Sequence, residues 1–98
     1  RGSEELGAVL MRAFLGVLGD IDTKPRMIIF FNTAVKLTVQ SSRVLDLLEK
    51  LVESGVTMLV CGTCLDYFSL KDQVRVGIVS NMYDIADTML TADRLVFI

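Results

Sequence analysis

Apolar residues recur at helical spacing in three stretches of this 98-residue chain. The first stretch predicts a helix over residues 4–18, with Ser3 as its N-cap and two glutamates in its first turn. The second predicts a helix over 41–54 that ends before Gly55, with Val52 on its inward face, and the third a helix over 82–90 that Asn81 caps. The first helix is apolar on more than one face, so we expect it to be covered inside the domain or by another subunit.

Four other stretches are apolar without alternation, which is typical of strands buried on both faces. They cover residues 27–31, 56–60, 74–79 and 94–98, and a short irregular or helical piece is expected over 66–73. Strands that alternate with helices predict an α/β fold in three layers, α/β/α, with a mainly parallel sheet. We expect residues 1–98 to form one domain. A start on a helix is unusual in this class, so we also expect a further strand ahead of residue 1 in a longer protein.

Composition narrows the classes of partner. The net charge is -2, the isoelectric point is near 4.9 and the ten basic residues are scattered, so nucleic acid is not an expected partner. The apolar runs are too short to span a bilayer and no secretory signal pattern is recognised, so we expect no membrane partner and a cytoplasmic location. The chain contains no histidine, which removes the commonest general base and the mixed Cys/His zinc sites.

Polar and reactive residues follow the predicted strands. Asn32 and Lys36 come after the first strand, Cys61 and Cys64 after the second, and Asn81 after the third. Open parallel sheets bind ligands beyond the carboxyl ends of their strands, so we expect a site where these residues meet. Asn32, Lys36 and Asn81 are the candidate substrate-binding residues. A turn residue, a solvated charge and a helix cap are the simpler interpretations of these three.

The segment Cys61-Gly62-Thr63-Cys64 is the most specific chemical signal in the chain. In a reducing compartment such a pair is more often redox-active, metal-binding or sulfur-carrying than a structural disulfide. We expect Cys64 to be the nucleophile, because backbone N–H groups of the following turn and the Lys36 ammonium would stabilise its thiolate. Cys61 closes a buried strand and is expected to be the less reactive thiol. The simpler interpretation is that both are small buried apolar side chains.

Metal and cofactor sites find less support in the sequence. The thiol pair supplies two of the four ligands of a structural zinc site, and the chain has no other Cys or His, so zinc would have to be shared between subunits. The thioredoxin pattern needs a long helix after the motif, whereas the segment after Cys64 is short. The glycine-rich loop of phosphate-binding proteins is also missing from the sequence. We therefore expect neither a metal nor a cofactor, and a flavodoxin-like nucleotide binder is disfavoured.

Four ordered segments carry a resemblance to a known family: Glu5-Leu6-Gly7 with Leu10-Met11-Arg12-Ala13-Phe14-Leu15, Ile29-Phe30-Phe31-Asn32 with Val35-Lys36-Leu37-Thr38, Cys61-Gly62-Thr63-Cys64-Leu65-Asp66, and Ser80-Asn81-Met82-Tyr83. Together they resemble, over nearly the whole chain, the YedF family of selenium-metabolism proteins with a DsrE-like domain. The resemblance implies a DsrE-like, flavodoxin-like topology, and a TusA-like sulfur-carrier domain ahead of this one. It also implies assembly into homo-oligomers.

The same resemblance bears on the thiols. DsrE-like proteins include sulfur-relay subunits that carry a persulfide on one Cys just after a central strand, and Cys64 is similar to that Cys by position. Relay members often place Arg-Gly a few residues after the Cys. This chain departs from that pattern and has Phe68-Ser69-Leu70 there.

Two functions follow as hypotheses. In the first, the domain is a sulfur or selenium carrier, or is sulfurtransferase-like: Cys64 takes the cargo from a donor persulfide and Cys61 resolves the product by forming a disulfide. In the second, it is a non-catalytic oligomeric partner or redox-regulatory domain for a TusA-like sulfur carrier. In both cases we expect a homo-oligomer with part of the first or last helix at the contact.

Overall fold

The computed structural model describes residues 4–95, and helices and strands alternate along them. Helix α1 (Glu4–Asp20) is followed by strand β1 (Met27–Phe30), a 3₁₀ helix (Asn32–Thr38), helix α2 (Leu45–Glu53) and strand β2 (Thr57–Cys61). Helix α3 (Gly62–Tyr67), a short 3₁₀ helix (Lys71–Gln73), strand β3 (Ile78–Ser80) and helix α4 (Met82–Thr91) complete the order.

The sheet is parallel and β2 is its central strand. The order is β1-β2-β3, and the register pairs Phe30 with Val60 and Cys61 with Ser80. Helices flank the sheet, which confirms the predicted three-layer α/β/α architecture. One antiparallel bridge, between Val39 and Val74, lies outside the three strands. The carboxyl ends of all three strands therefore lie at one edge of the sheet.

The core lies between α2, the sheet and the 3₁₀ helix that follows β1. Leu48 and Leu51 of α2 are 0 % and 1 % exposed, and Val60 of the central strand is 0 % exposed. Burial of side chains of this size stabilises the fold by about 1.5–3 kcal/mol each. The amphipathic face predicted for α2 is therefore largely confirmed. Val52 was predicted to point inward and is instead 44 % exposed, because Leu48 and Leu51 form the centre of the buried face and Val52 lies at its rim.

Helix α1 packs on α2 through part of its surface only. Leu15 is the buried residue of α1, whereas Val9 and Leu10 are 63 % and 59 % exposed. Arg12 ties the two helices together: it donates to the Arg43 carbonyl at 2.7 Å and to the Asp46 carboxylate at 3.2 Å, and this contact lowers the pKa of Asp46. The sequence predicted that α1 is covered either inside the domain or by another subunit. Residues 4–95 do not cover its exposed apolar side chains, so contact with another subunit stays a prediction.

The predicted end of α2 at Gly55 and the predicted N-cap of α4 at Asn81 are both confirmed. Gly55 follows α2 with φ 105, and the amides of Gly55 and Val56 donate to the carbonyls of Val52 and Leu51. The Asn81 side chain accepts from the Asp84 amide at 2.8 Å at the start of α4. Such a cap contributes about 1 kcal/mol to stability.

Three predicted elements differ from the structure. Helix α2 begins at Leu45 rather than at residue 41, because residues 41–44 form a turn in which the Val44 amide donates to Ser42 Oγ. The piece predicted over 66–73 divides into the end of α3 and a short 3₁₀ helix. Strand β3 begins at Ile78 rather than at residue 74, because Gly77 adopts φ 98 and turns the chain into the sheet.

Some predictions fall wholly or partly outside the described residues. Ser3 as a cap lies outside them, as does a strand ahead of residue 1. Of the strand predicted over 94–98, Arg94 and Leu95 are irregular and residues 96–98 lie outside the described range. Within residues 4–95, no helix combines the length and the apolar character needed to cross a membrane.

Gly77 is a position where a side chain would not fit. A Cβ there would lie 2.8 Å from Val60 Cγ2 and 3.3 Å from the Met58 carbonyl oxygen, and the positive φ disfavours an L residue as well. We predict that Gly77→Ala lowers the free energy of unfolding by about 1–3 kcal/mol, as measured by urea denaturation.

The matched control for Gly77→Ala is Gly7→Ala, inside α1. A Cβ at Gly7 meets nothing within 4 Å, and alanine is the better helix former by about 1 kcal/mol, so this variant should be as stable as the wild type or more stable. Equal effects of the two substitutions would contradict the close approach of the Gly77 turn to β2.

Candidate functional site

The parallel register brings the ends of β1 and β2 together. Phe30 lies beside Val60, so Asn32 follows β1 at the edge where Cys61 ends β2. The Asn32 backbone N–H donates to Cys64 Sγ, with 3.0 Å between nitrogen and sulfur. The contact joins residues 32 positions apart in the chain and fixes where the Cys64 sulfur lies.

The left-handed backbone conformation of Asn32 directs its N–H towards Cys64 Sγ. Asn32 has φ 58 and opens the 3₁₀ helix directly after Phe31, whose φ of -144 is extended. Asparagine tolerates this region better than most residues with a Cβ, because its short polar side chain can bond locally. The sequence places Asn32 among candidate substrate-binding residues, and the structure shows in addition that its main chain holds Cys64.

The two cysteines have different surroundings. Cys61 is 0 % exposed at the end of β2 and is the N-cap of α3, whereas Cys64 lies in the first turn of α3 and is half-buried. Both are free thiols, and they lie close enough to interact with each other. The predicted burial of Cys61 at the end of β2 is therefore confirmed, and the predicted difference in reactivity between the two thiols stays a prediction.

Gly62 lets this helix begin against β3. A Cβ at Gly62 would lie 3.1 Å from the Ser80 carbonyl oxygen and 3.3 Å from Val79 Cγ1. A side chain at this position would push the start of α3 away from β3, and Cys64 would move with it. The glycine inside the Cys-x-x-Cys segment thus has a packing role.

Cys64 opens into a groove of about 410 Å³. Its other lining residues are Asn32, Thr63, Tyr67 and Phe68. Tyr67 is 81 % exposed and its ring meets that of Phe68 edge to face, with centroids 5.1 Å apart. Sequence reasoning missed these two aromatic residues as part of the site. The sequence did contain a signal for them. They follow Cys64 by three and four residues, and this spacing puts them on the same face of a helix as Cys64.

The pKa of the Cys64 thiol is raised above its ordinary value. Desolvation of the partly buried sulfur is the largest cause, and the neighbouring Cys61 adds to it, whereas the Asn32 amide acts in the opposite direction. The sequence predicted a stabilised thiolate instead. That expectation is wrong in direction, because one aimed N–H does not offset the loss of water around the sulfur.

The remaining candidates divide between two grooves. Lys36 lies over the Phe68 ring, with 4.5 Å from Nζ to the ring centroid, and so stands beside the Cys64 groove. Asn81 lies elsewhere: it lines a second groove of about 620 Å³ on the β3 side, together with Thr63, Asp66, Lys71 and Asp84. Thr63 lines both grooves. The structure thus brings Asn32, Lys36 and the two thiols together and separates Asn81 from them.

Sequence reasoning missed the charged pair in the second groove. Lys71 Nζ lies 3.3 Å from an Asp66 carboxylate oxygen, and both side chains are about half exposed or more. An ion pair this exposed contributes little to stability. Within residues 4–95, no three His, Cys, Asp or Glu side chains come together in a set that could hold a metal ion.

Residues 4–98 match the sequence profile of the DsrE/DsrF-like family, which covers almost the whole chain. No curated protein matches the chain.

The raised pKa gives a prediction for alkylation of Cys64. Because the thiolate is the reactive form, we expect the rate with iodoacetamide to be lower at neutral pH than for an unperturbed cysteine, and its pH profile to turn over at a higher pH. Since Cys61 contributes to the shift, Cys61→Ala should move the Cys64 inflection to lower pH. Peptide-mapped alkylation across a pH series measures both. An inflection at or below that of a free cysteine would contradict this account.

Proposed function

The chain belongs to the DsrE/DsrF-like family, and on that premise we propose that it carries sulfur or selenium on Cys64. This family is related to sulfur relay. The observation that supports the proposal best is the contact between the Asn32 amide and Cys64 Sγ, because it holds one thiol at an open groove while its neighbour Cys61 stays buried. Because Cys64 Sγ is fixed and reachable whereas Cys61 is buried, the transferred atom would be loaded on Cys64 alone.

Loading is a transfer of one sulfane sulfur. The Cys64 thiolate attacks the outer sulfur of a donor persulfide, R–S–SH, and forms a new S–S bond on Cys64. The donor's own S–S bond breaks, and the donor leaves as the thiolate R–S⁻ with the electron pair. Selenium follows the same course when the outer atom is selenium. The step needs no external oxidant or reductant.

Unloading has two routes in this proposal. An acceptor thiolate can attack the outer atom, which regenerates the Cys64 thiolate. Alternatively, the Cys61 thiolate attacks Cys64 Sγ, forms the Cys61–Cys64 disulfide and releases the outer atom as hydrosulfide or hydroselenide. In this second route the two thiols are oxidised and the cargo is reduced. A dithiol reductant then restores the pair.

The narrower assignment rests on the resemblance. The motifs resemble the YedF family, so we assign the cargo to selenium metabolism and the partner to a TusA-like sulfur-carrier domain. We place the reaction in the cytoplasm, where thiols are kept reduced. Asn32 and Lys36 are the residues that meet the donor at the Cys64 groove. Asn81 lies in the second groove, and we assign it to binding of the TusA-like partner.

One observation favours the second candidate function. The raised pKa of Cys64 leaves less thiolate at neutral pH than an activated nucleophile would have. A domain that only docks or regulates a TusA-like carrier, with Cys61 and Cys64 as a redox-sensing pair, needs no activation. The carrier function is preferred, because a donor persulfide is a strong electrophile and the groove gives it access to Cys64.

The test of the carrier function is intact mass after incubation with a persulfide donor, R–S–SH, or with its selenium analogue, R–S–SeH. We expect the wild type to gain one sulfur or selenium atom, Cys64→Ser to gain none, and Cys61→Ser to keep its cargo longer than the wild type because no disulfide can form. Peptide mapping after alkylation locates the added atom.

Loading of Cys61→Ser but not of Cys64→Ser is the matched comparison, since both variants lose one thiol. A wild type that stays unloaded at donor excess would move the assignment to the docking or regulatory function. Loading of Cys64→Ser would show that Cys61 is the carrier.

The exposed face of α1 supports assembly into a homo-oligomer. Val9, Leu10, Phe14 and Val17 of α1 are each at least 37 % exposed, and α4 also carries exposed apolar side chains, at Tyr83 and Leu90. A monomer of this size rarely leaves such a face in water. We therefore keep the first or last helix as the contact between subunits.

We predict that Leu10→Glu shifts the protein towards the monomer in light scattering at high micromolar concentration, because it places a charge on this face. Leu10 is 59 % exposed in the subunit, so the variant should keep its fold, which circular dichroism checks. The control is Lys50→Glu on α2, which changes an exposed charge away from α1. A wild type that is a clean monomer would rule out this assembly.

A further inference from the structure

Two contacts with the same spacing join α3 to the 3₁₀ helix after β1. The Asn32 amide reaches Cys64 Sγ at 3.0 Å, and the Lys36 ammonium lies 4.5 Å from the centre of the Phe68 ring. Lys36 follows Asn32 by four residues, and Phe68 follows Cys64 by four residues. The main-chain contact that fixes the sulfur is therefore accompanied by one that fixes a cation beside the same groove.

The Phe68 ring limits where the Lys36 ammonium can go. Lysine side chains are otherwise free to swing through solvent, and the negative face of an aromatic ring attracts the ammonium. Phe68 is half-buried and lines the Cys64 groove, so an ammonium on its ring stays next to that groove. Without the ring, the same charge would be spread over a much larger volume.

Nothing among residues 4–95 neutralises this ammonium. The ion pairs of that part of the chain are Arg12–Asp46 and Lys71–Asp66, and neither includes Lys36. The Cys64 groove has no carboxylate in its lining, and the carboxylate of α3, Asp66, lies in the second groove with Lys71. The charged group that these contacts place beside the Cys64 groove is therefore a cation.

We infer that Lys36, positioned by Phe68, makes Cys64 selective for anionic reagents, which defines the natural donor as a persulfide whose organic part carries a negative charge. The inference rests on the proposed function for the identity of the cargo. The charge preference itself is a property of Cys64 towards any electrophile. An ammonium beside this groove also favours the negative charge that develops on the donor's thiolate when its S–S bond breaks.

The experiment compares two alkylating reagents that differ in charge. Iodoacetate is an anion and iodoacetamide is neutral, and both react with the same Cys64 thiolate, so the ratio of their rates does not depend on the pKa of Cys64. Rates at Cys64 are read by peptide mapping of the full chain at low salt. In the wild type we expect the ratio to fall as salt is added, because screening removes the attraction.

Lys36→Gln should lower the iodoacetate to iodoacetamide ratio roughly two- to fivefold, which is what one charge several ångströms away produces near a surface. Lys36→Arg should retain most of the preference. Phe68→Leu keeps the apolar bulk and removes the ring, so it should lower the ratio nearly as far as Lys36→Gln. The control is Lys50→Gln, in the last turn of α2, which lies towards the opposite edge of the sheet and should leave the ratio unchanged.

The outcomes separate this inference from the carrier function. An equal ratio in the wild type and in Lys36→Gln overturns the inference, whether or not the protein accepts sulfur. A fall in Lys36→Gln without a fall in Phe68→Leu overturns the positioning role of the ring. A wild type that shows the charge preference and yet takes no sulfur from a persulfide supports the inference as a property of Cys64 and counts against the carrier function alone.

Discussion

The parallel pairing of β1 with β2 is the constraint on which the candidate site depends. It sets Phe30 beside Val60, and the residues that follow the two strands therefore leave the sheet at one edge. The Asn32 amide then reaches Cys64, and Lys36 reaches Phe68. A slip of one residue in this register would turn the side chains of β1 to the other face and remove both contacts. The buried side chains around Val60 hold the register, so core packing and the position of the reactive sulfur have the same cause.

Two electrostatic influences act on Cys64, and they act at different times. In the resting protein, burial and the neighbouring Cys61 favour the protonated thiol, whereas the Asn32 amide favours the thiolate. The first two effects are larger, so the pKa of Cys64 is raised. When a donor arrives, charge moves outward into the groove, where water has access and Lys36 is nearby. A persulfide is a stronger acid than a thiol, so the loaded site ionises more easily than the empty one. A raised resting pKa and an effective carrier site are therefore compatible.

The sequence predicted the elements that depend on local chemistry. Gly55 and Asn81 end and begin helices as expected, and the apolar runs 27–31 and 56–60 coincide with β1 and β2 to within one residue at either end. The sequence was wrong about the start of β3, because the apolar run there includes a glycine whose positive φ could not be read from its neighbours. It placed Cys61, Cys64, Asn32 and Lys36 at one edge but could not show which atoms meet. The amide contact and the Lys36–Phe68 pair depend on register and on tertiary distances, and those are fixed only when the strands pair.

In the proposed carrier function, Cys64 is held by the Asn32 amide and carries the transferred atom. The most direct measurement is a crystal structure of the protein after incubation with a persulfide donor. We expect one added sulfur about 2.05 Å from Cys64 Sγ that points into the groove lined by Tyr67 and Phe68, with the Asn32 amide still in contact with Cys64 Sγ. Density for the added atom on Cys61, or an unmodified Cys64 in a crystal soaked at donor excess, would contradict it.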